Sequence, residues 1–401
     1  MRFSYLLAIL SLAVLASAYI QEDDFLAYKS EDVTSGPYTF VPFPDIVKPL
    51  GYPVETHKIT TEDGYILTFF RIQAKNQTSL KSGLPVVYLQ HGLLDSCDSM
   101  VLNDEDKAPG LILANAGYDV WLGNVRGNKY SMEHTTLNPK KKEFWQFSWQ
   151  NMSQYDLPAA FEYINLQTSQ NVTYIGHSQG TTIMYAALAD RVPGVLKYLK
   201  KYIAWSPSVF EGHATNGPAL LAAKTPLVEL YEAAGIHEAC PPNFLQSAVG
   251  HAFCKVEVNI CGDLLGVFFG ANPEYDNKAK ANVLLQHFPS GTSVMNLKHW
   301  RQMVNQGRYA KFDYGTAGNL QHYGQPGSPD YNLTNINVPV HMFFGLHDSL
   351  VDATDSQILL QQLVGTPNPV YKEYPSSHIT WLLAKDISFY WGDLMTTITG
   401  N

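Results

Sequence analysis

The sequence predicts an α/β fold, with a mostly parallel, doubly wound sheet and an inserted cap subdomain. Three observations lead there. Short apolar runs alternate with stretches of helical spacing along most of the chain. One stretch, from Ser206 to about Asn337, breaks that rhythm with Gly and Pro punctuation and aromatic clusters. The alternation then resumes. Composition permits a large core, because 45% of the 401 residues are hydrophobic and only 16% are charged.

The elements follow in order. Glu55 to Ile72 reads as a β-hairpin turning at Glu62-Asp63-Gly64. Pro85 to Gln90 and Tyr118 to Leu122 are short buried strands. Tyr155 to Thr168 has helical spacing, with Leu157, Phe161 and Ile164 on one face. Val172 to Ile175 is a strand and Gln179 to Ala189 a helix. Tyr202 to Trp205, Val340 to Phe344 and Pro369 to Tyr374 are the later strands, and Thr380 to Thr396 closes the chain as one helix. The expected division is a core over 19–205 and 338–401, with the cap over 206–337.

The first residues predict a cleaved signal peptide over 1–18. Arg2 supplies the charged start, Leu6 to Ala16 the apolar stretch, and Ala16-Ser17-Ala18 the cleavage site. The apolar run is short of the roughly 20 residues a spanning helix needs, so no transmembrane anchor is expected. Entry to the secretory pathway follows, ending outside the cell or in a lysosome or digestive vacuole. There Cys97, Cys240, Cys254 and Cys261 have three ways to pair. Glycosylation sequons stand at Asn76, Asn151, Asn171 and Asn332. No metal is expected, since no metal-ligand spacing of Cys or His is present. A net charge of -9 argues against nucleic acid as a partner, and the short run Lys140-Lys141-Lys142 reads as solvated surface.

The chemistry centres on Gly176-His177-Ser178-Gln179-Gly180. Gly-x-Ser-x-Gly alone is common by chance. Here a β-branched strand precedes it and a helix follows, the frame of a nucleophile elbow. A serine hydroxyl needs a base, and the base an orienting carboxylate. On the α/β-hydrolase fold the chain order is Ser, then acid, then His. Asp348 follows the strand Val340 to Phe344, and His378 follows Pro369 to Tyr374. Asp352 and Asp355 read as caps or surface charges, and His347 as too close in sequence to meet Asp348 across the sheet edge. The oxyanion donors are expected to be the backbone N–H groups of Leu93 and Gln179, with His91 packed beneath.

Longer strings carry a resemblance. Leu89-Gln90-His91-Gly92-Leu93-Leu94, Tyr118-Asp119-Val120-Trp121-Leu122-Gly123-Asn124 and Arg126-Gly127-Asn128 are similar to the acid lipases of the gastric and lysosomal type. So are Glu143-Phe144-Trp145-Gln146-Phe147-Ser148-Trp149 and Tyr155-Asp156-Leu157-Pro158-Ala159. The resemblance implies the triad Ser178, Asp348 and His378 and the Leu93 and Gln179 oxyanion hole; no cofactor is expected. It implies a disulfide in the lid region, which fits Cys254 and Cys261, leaving Cys97 and Cys240 extra. The surroundings of His378 depart from it, reading Ser-Ser-His-Ile-Thr-Trp where the family tends to have Asn-His-Leu-Asp-Phe. The expected substrates are neutral lipid esters at an oil–water or membrane interface, hydrolysed by a monomer. Leu264 to Phe269 is apolar enough for a lid or interface patch, or for core packing. The rival functions are a sterol ester hydrolase or acyltransferase on the same scaffold, and a lipid-binding protein with a dead site.

Overall fold

The structure is a computed structural model. It describes residues 41–242, apart from 78, 216–219 and 221–222, and residues 272–400. The expected signal peptide, Cys254, Cys261 and the Leu264 to Phe269 patch lie outside the described residues.

The strands are β1 (Val54–Thr60), β2 (Tyr65–Ile72), β3 (Val86–Gln90), β4 (Asp119–Gly123), β5 (Glu133–His134), β6 (Val172–His177), β7 (Leu199–Trp205), β8 (Glu238–Ala239), β9 (Thr292–Ser293), β10 (Val340–Gly345) and β11 (Val370–Tyr374). The helices that matter below are α1 (Pro109–Asn115), α2 (Leu157–Thr168), α3 (Gln179–Ala189), α4 (Pro193–Tyr198), α5 (Leu227–Ala233), α6 (Ala281–His287), α7 (Val294–Gln306), α8 (Gly315–Tyr323), α9 (Ala353–Gln362), α10 (Thr380–Leu383) and α11 (Ser388–Thr399). The main sheet runs β1-β2-β4-β3-β6-β7-β10-β11, with β5 added beside β2. Pairing is antiparallel at β1, β2, β4 and β5, and parallel from β4 onward through β3, β6, β7, β10 and β11.

Both faces of this sheet are covered, as a parallel sheet requires. Val87 and Leu89 of β3 join Ile175, Ile203, Phe343 and the α11 residues Tyr390, Leu394 and Ile398 in one core. Val86 and Tyr88, one residue out of step, join Tyr174, Tyr202, Phe161 of α2 and Ile183 of α3 in the other. All five β3 residues are therefore buried, which is why the strand reads as a continuous apolar run rather than an alternation.

Two differences from the sequence reading have physical causes. The expected closing helix is two helices, α10 and α11. Between them Ala384 pairs with Asp276 as an antiparallel bridge, and Lys385 N–H donates to the Tyr275 carbonyl at 2.7 Å. These backbone bonds compete with the helix and win. Between β7 and β10 the described chain holds α5 to α8 and a separate two-stranded ladder of β8 with β9. The helix α7 was not expected; its apolar residues Leu297, Trp300, Met303 and Val304 recur at helical spacing and are buried.

Candidate active site

Ser178 sits between the last residue of β6 and the first of α3, at φ 54° and ψ -122°. Side-chain-bearing residues rarely take such a conformation, and it costs roughly 1–3 kcal/mol. The elbow is held from both sides. Ser178 N–H donates to the Trp205 carbonyl at 3.1 Å, and the Ser178 carbonyl accepts from Thr181 N–H at 2.7 Å. The glycines are steric necessities. A Cβ on Gly176 would lie 2.7 Å from the Gly180 backbone, and one on Gly180 would lie 2.6 Å from the Gln90 carbonyl oxygen. A Cβ on Gly92 would lie 2.9 Å from that of Ser178, so the loop after β3 rests directly against the serine.

His378 and Asp348 come from the ends of β11 and β10, as the sequence suggests. His378 Nδ1 and Asp348 Oδ2 are 2.8 Å apart, and both side chains are buried. The other Asp348 oxygen accepts from Leu350 N–H and Val351 N–H, each at 3.0 Å. Burial opposes the charge on Asp348, but the His378 ring and these donors outweigh it and hold the carboxyl below its ordinary range. Ser178 and His378 line one pocket, together with Gly92 and Leu93. His177 donates from Nε2 to the His378 carbonyl at 2.8 Å, and burial pushes its own ionisation down to about 3. A neutral His177 thus braces the backbone of His378.

The rival acids and histidines are occupied elsewhere. Asp352 caps α9, accepting from Thr354 N–H at 2.7 Å, and Asp355 pairs with His213 at 2.8 Å. His347 is exposed. His91 is buried beneath the loop, where its Nε2 accepts from Val125 N–H at 3.3 Å and from the Asn128 amide at 3.2 Å. Burial lowers its ionisation to about 4, so the ring stays neutral.

Three supports were missed from sequence. First, the Gln179 side-chain oxygen accepts from Asn296 at 2.9 Å and from the Trp300 indole at 2.7 Å, both on α7. The residue whose N–H is the expected oxyanion donor is thereby clamped by α7. Second, Ser377 and Thr380 donate to the buried Asp276 carboxylate at 3.0 and 2.5 Å, and the Asn272 amide donates to the Pro375 carbonyl at 2.9 Å. Two of the departures from the family pattern around His378, Ser377 and Thr380, are therefore hydroxyls that tie its loop to Asp276. Third, two buried acids, Asp95 and Glu211, line the pocket. Burial pushes Asp95 up to about 7 and Glu211 well above the carboxylate range.

Of the sequons, Asn76, Asn171 and Asn332 are exposed. Asn151 is half-buried, and its side-chain oxygen accepts from Ser148 N–H at 3.0 Å in a helix cap. Cys97 and Cys240 are free thiols, the first deeply buried. Among the described residues no His, Cys, Asp and Glu cluster could hold a metal ion, and no helix is long and apolar enough to cross a membrane.

Known proteins resemble this chain in sequence and fold. A family model for the partial α/β-hydrolase lipase region matches residues 43–104, and one for the α/β hydrolase fold matches residues 85–384. The lipase lipl-1 of Caenorhabditis elegans is 39% identical over 320 residues, which is 78% of this chain and 79% of that one. The gastric triacylglycerol lipase of Bos taurus is 39% identical over 343 residues, 84% of this chain and 85% of its own. The human lysosomal acid lipase/cholesteryl ester hydrolase is 37% identical over 361 residues, 89% and 88% of the two chains. Among solved structures, a soluble variant of the monoglyceride lipase of Saccharomyces cerevisiae shares the fold, at TM-score 0.52 and 14% identity over 90% of this chain and 98% of that one. The chain belongs to the α/β-hydrolase family and, within it, to the lipases of the gastric and lysosomal acid type.

Proposed function

We propose that this lipase hydrolyses neutral lipid esters, triacylglycerols and sterol esters among them, through an acyl-enzyme on Ser178. The observation that carries this is the 2.8 Å contact of His378 with Asp348 in the pocket that holds the strained Ser178. With Nδ1 facing Asp348, His378 keeps Nε2 for the Ser178 proton. The Ser178 oxygen then attacks the ester carbonyl. The Leu93 and Gln179 N–H groups take the developing oxyanion, and Asp348 steadies the imidazolium. His378 passes its proton to the departing alcohol as the carbon–oxygen bond breaks. Water, deprotonated by His378, attacks the acyl-serine and releases the fatty acid as His378 returns the proton to Ser178.

Residues 206–337 act as the cap, on this reading. Support comes from Leu284, Phe288 and Trp300, which give the pocket an apolar wall suited to an acyl chain. The signal-peptide pattern, the exposed sequons and the gastric and lysosomal names of the relatives support a route through the secretory pathway.

Ser178→Ala should lower turnover of tributyrin and of a soluble ester by at least roughly a thousandfold, and should abolish labelling by a fluorophosphonate. Turnover near the wild-type rate would overturn the assignment.

A further inference from the structure

Glu211 follows β7 and is 4% exposed, yet it lines the pocket beside Ser178 and His378. Its neighbours in that wall include Leu350, Leu382 and Phe288. The Ser208 hydroxyl is within hydrogen-bonding reach of it. The charges that act on Glu211 most strongly are carboxylates: Asp355 on α9, already paired with His213, and Asp348 after β10, already paired with His378. Also on the pocket wall are Asp95, held by Ser96 N–H and the Ser99 hydroxyl at 2.7 Å each, and the neutral His177. A carboxyl so placed is favoured in its neutral form by burial and by both neighbours.

We propose that Glu211 is a specificity-determining residue of the acyl pocket, which admits an apolar chain only while the Glu211 carboxyl is protonated. The inference rests on the assignment of this pocket to Ser178 chemistry. Its physical basis is desolvation. An apolar chain displaces the water over Glu211, at modest cost for the hydrogen-bonded acid and at far greater cost for the carboxylate. The penalty falls on binding, so it enters KM and leaves kcat at saturation governed by His378. Because the carboxyl ionises as pH rises through its elevated value, lipid uptake weakens on the alkaline side. The enzyme is thereby matched to acidic surroundings by a group outside the triad.

The test is KM for two neutral monomeric esters, p-nitrophenyl butyrate and p-nitrophenyl octanoate, from about pH 4 to about pH 9. In wild type and in Asp95→Asn, KM should rise about tenfold or more toward alkaline pH, more for the longer chain. In Glu211→Gln it should stay within about twofold while kcat follows the wild-type profile. A wild-type KM flat with pH would overturn the proposal, as would an equal rise in Glu211→Gln, or a rise abolished by Asp95→Asn instead. If Glu211→Gln does not fold, Glu211→Met serves in its place, and the flat wild-type profile remains decisive. Fluorophosphonate labelling of Ser178 in each variant keeps the two assignments separate. Labelling lost on Ser178→Ala but a flat KM would leave the serine mechanism standing and Glu211 refuted.

Discussion

Asp348 has no solvent at its side chain, yet the surroundings favour its charge. Two backbone N–H donors and the His378 ring replace the water it has lost. Its partner has Nδ1 committed to Asp348, and on the proposed mechanism this fixes the tautomer that turns Nε2 to the serine. Asp348→Asn should keep the fold, because an amide oxygen still accepts from Leu350 and Val351. It should lower kcat roughly 10³ to 10⁴-fold, since an amide N–H facing His378 demands the wrong tautomer. Steady-state kinetics beside a thermal melt would check this: a large loss of kcat with an unchanged melt is the expected result. The strain at Ser178 belongs to the same scale. A φ of 54° is tolerated because strand bonds on one side and helix bonds on the other leave the residue no alternative.

Elements set the precision of the site. The Gly-Asn-x-Arg-Gly-Asn string from Gly123 to Asn128 lies beneath the loop after β3, where Val125 and Asn128 meet His91. Asn124 accepts from Cys97 N–H at 3.0 Å and from the Asn128 amide at 2.8 Å, while Arg126 binds Asp156 at 2.8 Å and Asp63 of the hairpin turn at 2.6 Å. This explains why so specific a string lies outside the triad. The roof is α7. Asn296 holds the Gln179 side chain with its amide and accepts from Trp149 N–H at 2.7 Å with its carbonyl oxygen. On the proposed mechanism it is a positioning residue, acting through Gln179. Asn296→Ala should lower kcat about tenfold with KM changed less than about twofold, because the loss concerns transition-state alignment and leaves the pocket wall intact. Asn296→Asp, which keeps the acceptor for Trp149 but not the donor to Gln179, should resemble the alanine variant. Recovery of kcat in Asn296→Asp would refute the clamp.

Across the whole molecule, the sheet and the segment between β7 and β10 are fastened by a buried charge cluster. Asp98, in the segment after β3, meets Lys129 at 2.6 Å, His287 of α6 at 2.7 Å and the Tyr130 hydroxyl at 2.9 Å. Ser290 N–H then donates to the Leu94 carbonyl at 2.7 Å. Burial alone would raise the Asp98 carboxyl, but Lys129 and His287 overcome it and bring it down to about 2. A depressed carboxyl stabilises the fold above its unfolded value of 3.8, and the contribution is lost as pH falls through about 2. Asp98→Asn removes the buried carboxylate that Lys129 and His287 face, and should cost about 3–5 kcal/mol at neutral pH. Chemical denaturation at several pH values should show that gap at full size near neutrality and closing between about pH 4 and pH 2. A gap independent of pH would mean that packing, rather than charge, makes the link.

The strands of the sheet and the candidate residues at their ends were legible in the chain, and of those residues Asp348 and His378 meet at 2.8 Å while His378 and Ser178 line one pocket. Those signals are local: an apolar run, a turn that only glycine fits, and a serine, an acid and a histidine each just past a strand. Tertiary structure alone decided the rest. Asn296 and Trp300 reach Gln179 across more than a hundred positions of chain, and Asp276 reaches Ser377 and Thr380 across a similar span. No period or spacing encodes such contacts. Thr380 to Thr396 shows the same thing in reverse. Its local pattern is helical throughout, and it breaks only because residues 275–277 offer Leu383, Ala384 and Lys385 better backbone partners. Glu211 is the clearest case. In the sequence it is one acidic residue among 36. Burial against an apolar wall, with Asp355 and Asp348 acting on it, pushes its carboxyl up from the ordinary carboxylate range in the pocket of Ser178.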